Sequence, residues 1–227
     1  MARMPVRTLG IVTIGQSPRD DIADLFAQQA PAGTRIVLRG ALDGLSEAEV
    51  DRLQPKDGAD TLYTRLRGGR DVKLSKLAVI ERSPQTLQKL RDDGCDVLVY
   101  ACTGEFPAMP GDENVLFPSR VLNGLATGLL PRGRLGLLVP LVEQSAKLAS
   151  KWARPGLDVV VEALAPSADA SAARQAAQRL AAQKPDLVAM DCMSYTPTTK
   201  EWVKPALGVP ALLAITATGR VLREMLE

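Results

Sequence analysis

The sequence predicts an α/β fold of two pseudo-symmetric lobes, each a parallel sheet flanked by helices, with a β-hairpin insertion in the first lobe. Three observations carry this expectation. Short continuous apolar runs alternate with helical patterns, as parallel strands covered on both faces require. Leu9-Gly10-Ile11-Val12 returns in the second half as Leu135-Gly136-Leu137-Leu138. The stretch Cys95 to Cys102 matches Lys184 to Cys192 in pattern, and each cysteine is followed five residues later by a proline, Pro107 and Pro197.

The elements follow in order. Leu9 to Ile14 reads as a buried strand, and Ser17-Pro18 as a cap and first-turn proline for a helix to about Gln29. Ser46 with Glu49 caps a short helix. Thr61 to Leu66 and Asp71 to Leu74 flank Gly68-Gly69 as a hairpin. Ser83-Pro84 opens a helix that Gly94 stops, and Asp96 to Ala101 is the next strand. Pro118-Ser119-Arg120 starts a helix over Val121 to Leu130, followed by a strand at Leu135 to Val139. Ala170 to Gln183 is alanine-rich and helical, and Leu187 to Met190 is a strand. Thr198 with Glu201 forms a capping box for a helix stopped by Gly208. Val209 to Ile215 is a last strand, and Thr218 caps a last helix to Met225. From first strand to cysteine the chain runs 93 residues in the first half and 57 in the second. The difference of 36 is about the size of an insertion at residues 40–76 that contains the hairpin.

Composition narrows the chemistry. The 227 residues suffice for one large domain or two small ones. The 28 basic residues are balanced by 26 acidic ones, which argues against nucleic acid as a partner. No apolar run approaches the roughly 18–20 residues of a membrane span, and the first residues lead into a strand without a signal-peptide pattern. There is no histidine. That excludes Ser-His-Asp and Cys-His nucleophile systems, two-histidine metal sites and histidine bases. The three cysteines form no CxxC pair. An odd count without a secretion signal points to reduced thiols and a cytoplasmic protein.

Cys102 and Cys192 each fall just past a buried strand, at the edge where open α/β sheets bind ligands. If the halves face each other, both thiols reach one cleft. One thiolate would remove a proton beside a carboxylate, and the other thiol would return one to the opposite face. This needs no metal and no organic cofactor. Cys95, at the start of its strand, reads as structural. Gly15-Gln16-Ser17-Pro18-Arg19 combines a glycine, a helix start and an arginine, so Gln16, Ser17 and Arg19 are candidates for holding a carboxylate. Thr103 and Gly104, and Met193 and Ser194, occupy matching turns and are candidates for the same task. Arg120 is a further candidate. Asp191 could orient the Cys192 thiol, although its charge would raise the thiol pKa. Tyr195 reads as packing, and Arg65, Arg67 and Arg70 as a solvated face.

Several of these segments resemble the AroM family: Thr13 to Arg19, Leu62 to Gly69, Cys102-Thr103-Gly104-Glu105-Phe106, Pro118-Ser119-Arg120 and Asp191-Cys192-Met193. The resemblance runs from about residue 8 to the C-terminus. That family looks related to the aspartate/glutamate/hydantoin racemase superfamily. The relation implies two similar lobes with the C-terminal helix returning to the first, hence residues 1–117 with 216–227 as one lobe and 118–215 as the other. It also implies Cys102 and Cys192 as the active thiols. Where racemases often carry Cys-Thr-His in the second lobe, this chain has Cys192-Met193-Ser194, and Val139-Pro140 replaces a threonine-type turn.

The expected function is therefore a cofactor-independent racemase or epimerase acting on a small carboxylate-bearing molecule. The alternatives are a single-thiol isomerase or decarboxylase of a dicarboxylate, and a non-catalytic protein that binds a small acid. Parallel sheets leave edges that a homodimer could use.

Overall fold

The structure, a computed structural model, describes residues 7–227. It contains two compact units, residues 7–118 with Thr218–Glu227, and Ser119–Ala217. The first contains β1 (Thr8–Thr13), α1 (Asp20–Ala27), β2 (Arg35–Gly40), α2 (Glu47–Asp51), β3 (Thr61–Arg65), β4 (Asp71–Ser75), α3 (Lys76–Asp92), β5 (Val97–Tyr100) and β6 (Val115–Leu116). The second runs through α4 (Pro118–Leu129), β7 (Gly133–Val139), a 3-10 turn (Val142–Gln144), α5 (Ser145–Trp152), β8 (Leu157–Ala163), α6 (Ala170–Ala182), β9 (Leu187–Met190), α7 (Pro197–Leu207) and β10 (Ala211–Leu213). The closing helix α8 (Ala214–Leu226) ends in the first unit.

Both sheets are parallel and share one strand order, β2-β1-β5-β6 and β8-β7-β9-β10. The two apolar repeats are the strands next to β2 and β8. Val12 lies opposite Tyr100 in one sheet, and Leu138 opposite Met190 in the other. Each of these strands carries a glycine where a neighbour presses in. A Cβ on Gly10 would meet Leu98 at 2.5 Å and Cys95 at 3.0 Å, and one on Gly136 would meet Pro185 and Val188 at 3.1 Å and Leu180 at 3.2 Å. Beside Gly136, α6 buries Ala173, Ala176, Ala177 and Leu180 completely, the small side chains letting the helix lie close to the sheet. Between β2 and α3 stand α2 and the antiparallel β3–β4 pair, whereas β8 leads directly into α6.

Several local expectations are corrected. Ser17 does not cap α1: Asp43 takes its hydroxyl and N–H, and the helix begins at Asp20 after Arg19. Ser83-Pro84 does not open α3, which starts at Lys76 with Ser75 as its cap and carries Pro84 inside. The Ser83 hydroxyl instead donates to the Val79 carbonyl at 2.7 Å and meets the Tyr100 hydroxyl at 2.6 Å. The capping box of α7 is Thr196 with Thr199, not Thr198 with Glu201. The last strand is only Ala211–Leu213, and Thr218 lies fully buried inside α8 rather than at its cap. The box of Ser46 with Glu49 is present, with both reciprocal bonds formed.

Candidate active site

Cys102 and Cys192 occupy the same place in the two sheets. Each is the second residue beyond its strand, β5 or β9. The intervening residue extends the ladder by one bond in both cases: Ala101 N–H donates to Val12 O at 2.7 Å and Asp191 N–H to Leu138 O at 2.9 Å. The chain then turns, and both thiols are nearly buried. The Gly104 N–H points at the Cys102 sulfur (3.3 Å), and the Ser194 N–H at the Cys192 sulfur (3.4 Å). Thr103 and Met193, both buried, lie between each thiol and its donor.

The first of these turns is walled by the hairpin. A Cβ on Gly104 would meet Leu62 at 3.2 Å, Phe106 at 3.3 Å and the Cys102 sulfur at 3.4 Å, so the turn is tightly packed there. Tyr100, Phe106 and Phe117 form an aromatic cluster beside Cys102, with ring centroids of 4.6 Å (Tyr100 and Phe106) and 5.5 Å (Tyr100 and Phe117). Thr64 of β3 abuts Gly15 in the turn after β1, where an added Cβ would meet its hydroxyl at 2.8 Å. The sequence reading treated the hairpin as an excursion. The structure makes Leu62 and Thr64 neighbours of the turns after β5 and β1, for which spacing alone gave no signal.

The turn after β1 spends its side-chain donors within the protein. Gln16 donates through Nε2 to the Leu45 carbonyl at 2.8 Å. The Ser17 N–H and hydroxyl, and the Gly40 N–H, all donate to Asp43 at 2.7 Å. Arg19 is buried, with Nε and Nη2 each 2.8 Å from Asp21 and Nη1 3.3 Å from the Arg65 carbonyl. Burial pushes the Asp21 carboxyl up, but the Arg19 guanidinium outweighs it and holds the group below the usual aspartate value. Three residues expected to meet a ligand also fix the turn: Gln16 to the loop before α2, Ser17 to Asp43, and Arg19 to β3. Asp43 already supplies the carboxylate this anion-binding geometry invites.

Asp191, the residue before Cys192, belongs to a buried charge cluster. The Asp191 carboxylate is wholly inaccessible; it accepts from the Trp152 indole at 2.9 Å and pairs with the Lys151 ammonium at 3.0 Å, whose side chain is 3% exposed. Both partners come from the last turn of α5, and nothing in their local sequence announces it. Position 101 of the first unit, by contrast, is alanine. Tyr195 packs as expected, its hydroxyl donating to the Leu164 carbonyl at 2.6 Å. Arg120 is exposed on the first turn of α4. Arg65 pairs with Asp71 and Arg70 with Asp51, while Arg67 is exposed. Cys95 packs against Gly10; burial, and then the Asp93 charge, push its thiol up, away from reactivity. Among the described residues there is no group of three or more acidic or cysteine side chains able to hold a metal ion, and no helix is long and apolar enough to cross a membrane.

Comparison with known families decides the chain's kinship: the family described as AroM protein matches residues 9–226. The chain belongs to the AroM family. No curated protein resembles it closely enough to count as a match. Its fold recurs in solved structures of low identity. Arylmalonate decarboxylase superposes with a TM-score of 0.62 at 16% identity, covering 96% of this chain and 92% of the other. Glutamate racemase from Francisella tularensis, in complex with D-glutamate, gives 0.59 at 14% identity over 97% and 81%. The maleate isomerase Iso from Pseudomonas putida S16 gives 0.60 at 16% over 97% and 92%. This AroM chain therefore shares the architecture of racemases, isomerases and decarboxylases.

Proposed function

We propose that this AroM protein is a cofactor-independent enzyme of the racemase or epimerase type, moving a proton at a carbon next to a carboxylate. The observation that carries the proposal is the equivalence of Cys102 and Cys192, each two residues past the same strand of its sheet and each with an N–H two residues on aimed at its sulfur. One thiolate takes the proton, the electron pair of the C–H bond passes into the carboxylate as an enediolate, and the other thiol delivers its proton to the opposite face. The N–H groups of Thr103 and Met193 and the hydroxyls of Thr103 and Ser194 hold the substrate carboxylate. Arg120 supplies a positive charge for a further anionic group. Gln16, Ser17 and Arg19 shape the first turn rather than touch the substrate. Structural kinship with racemases, isomerases and decarboxylases supports this class of chemistry.

One difference favours a second reading, in which a single thiol, Cys192, works as nucleophile or proton donor on a dicarboxylate. Asp191, paired with Lys151 and Trp152, precedes Cys192, whereas an alanine precedes Cys102. Proton NMR in D₂O separates the two. The protein is incubated with amino acids, hydantoins, and small hydroxy and dicarboxylic acids, and loss of the α-proton is followed for the native chain, Cys102→Ser and Cys192→Ser. Exchange abolished by either substitution supports two thiols. Turnover that survives Cys102→Ser but not Cys192→Ser supports one. Exchange that continues in the double variant overturns both.

A further inference from the structure

Asp191 poses an electrostatic problem. It is charged, fully buried and adjacent in sequence to a thiol that must ionise. An unpaired carboxylate there would oppose formation of the thiolate. The structure resolves this with a cation from another element: Lys151 places its ammonium 3.0 and 3.4 Å from the two carboxylate oxygens, and Trp152 donates its indole N–H to one of them at 2.9 Å. The ammonium also lies 5.3 Å from the Trp152 ring centroid, a cation–π contact that helps replace its lost hydration. A buried ion pair of this kind contributes little net stability but is costly to break, because the surviving charge is stranded.

We infer that Lys151 and Asp191 are positioning residues for Cys192, forming a neutral pair that keeps the thiol ionisable while tying α5 to the cysteine turn. This rests on the proposed role of Cys192 in proton transfer. The pair makes two opposite demands. Without Lys151, the residue next to the thiol carries an unbalanced negative charge, and the thiol ionises less readily. Without the Asp191 charge, the Lys151 ammonium is left unbalanced, and the thiol ionises more readily. A purely packing role would move both variants the same way or neither. The other ionisable groups on the surrounding elements are Glu143 in the 3-10 turn, Lys147 on α5, Glu162 on β8 paired with Arg179, Tyr195 in the cysteine turn, and Lys200 on α7. They are present in every variant, so differences between variants isolate the pair.

The test is the pH dependence of iodoacetamide labelling at Cys192 in the full chain, read by mass spectrometry of its peptide so that Cys95 and Cys102 do not interfere. Asp191→Asn is expected to raise the labelling rate at neutral pH about tenfold, and Lys151→Met to lower it by a similar factor. The double variant is expected to return towards the native profile, and Lys151→Arg to retain it. Circular dichroism checks folding. Asp191→Asn and Lys151→Met profiles that coincide with the native one, or shift together, overturn the pairing role. If one single variant does not fold, the other decides by the direction of its shift, and a double-variant profile displaced from the native one overturns the role. A native Cys192 that stays unlabelled up to pH 10 overturns the proposed chemistry itself, a result distinguishable from the first.

Discussion

Asp43 grips Ser17 at two points, one carboxylate oxygen accepting from the N–H and the other from the hydroxyl, both at 2.7 Å. The second oxygen also accepts from the Gly40 N–H. A residue beyond β2 thereby fixes the turn beyond β1, where a Cβ on Gly40 would come within 2.5 Å of the Gly15 carbonyl oxygen. Asp43→Ala removes three hydrogen bonds to a charged acceptor on a partly exposed loop. The expected loss is about 1–2 kcal/mol, or roughly 3–6 °C in Tm for a chain of this size. Differential scanning calorimetry checks it; an unchanged Tm would mean that water replaces the carboxylate at no cost.

Gly10 and Gly136 are equivalent in strand position but not in tightness. Alanine at Gly10 would drive its methyl to 2.5 Å from Leu98, whereas at Gly136 its nearest neighbours are at 3.1 Å. Overpacking of a core typically costs ~1–3 kcal/mol. Gly10→Ala is expected near the top of that range and Gly136→Ala near the bottom. Urea titrations of both variants would show the ranking, and a reversed order would contradict it.

The Ser83 hydroxyl uses its proton on the Val79 carbonyl, so Tyr100 must donate to Ser83. Ser83→Ala would leave the buried phenol without its acceptor, at a cost of about 1–3 kcal/mol, while Tyr100→Phe removes the donor and costs about 1 kcal/mol. Burial pushes the Tyr100 pKa far above the ordinary tyrosine value, despite the Ser83 hydrogen bond. Since the folded state holds the proton more tightly, the contribution of this group is complete below the ordinary tyrosine pKa, and it is lost as pH rises above that value towards the folded one. Alkaline unfolding followed by tyrosinate absorbance should show Tyr100 ionising with unfolding, not before it. In Tyr100→Phe the alkaline decline should be shallower.

Asp60 contributes to the acid limb, as do Asp21, Glu49 and Asp93, whose carboxyls are also held below their usual values. Burial raises its carboxyl pKa, but N–H donors at Leu77 (3.0 Å) and Lys56 (3.2 Å), with Ser75, outweigh burial and hold the group below the usual aspartate value. A depressed pKa contributes stability above the unfolded value, lost as pH falls through the folded one. Asp60→Asn should therefore lower stability at pH 7 and flatten its fall below pH 4. Equal slopes in denaturation midpoints measured between pH 2 and 5 would contradict this.

The central strands were legible because they are buried on both faces and read as unbroken apolar runs. β2 and β8 were not recognised as strands. Each is the outer strand beside β1 or β7 and is only partly buried, so Arg35-Ile36-Val37-Leu38-Arg39-Gly40 carries charge at both ends of a short apolar stretch. Local cap signals failed where a distant residue competed: Asp43 for Ser17, and Tyr100 for Ser83. At the site, the cysteines were visible from their repeated position. Lys151 and Trp152 were not, because they meet Asp191 across 40 and 39 residues of chain, and a lysine near a helix end is ordinary.

The chain leaves the first unit after residue 118 and re-enters it at Thr218. On return, α8 passes so close to α1 that a Cβ on Gly219 would meet Gln29 at 2.7 Å and Phe26 at 3.7 Å. During synthesis, residues 119–217 emerge as an uninterrupted stretch, while the earlier residues still lack the helix that packs on α1. The unit begun first is thus completed last, its Phe26 side chain waiting for residues 218–227.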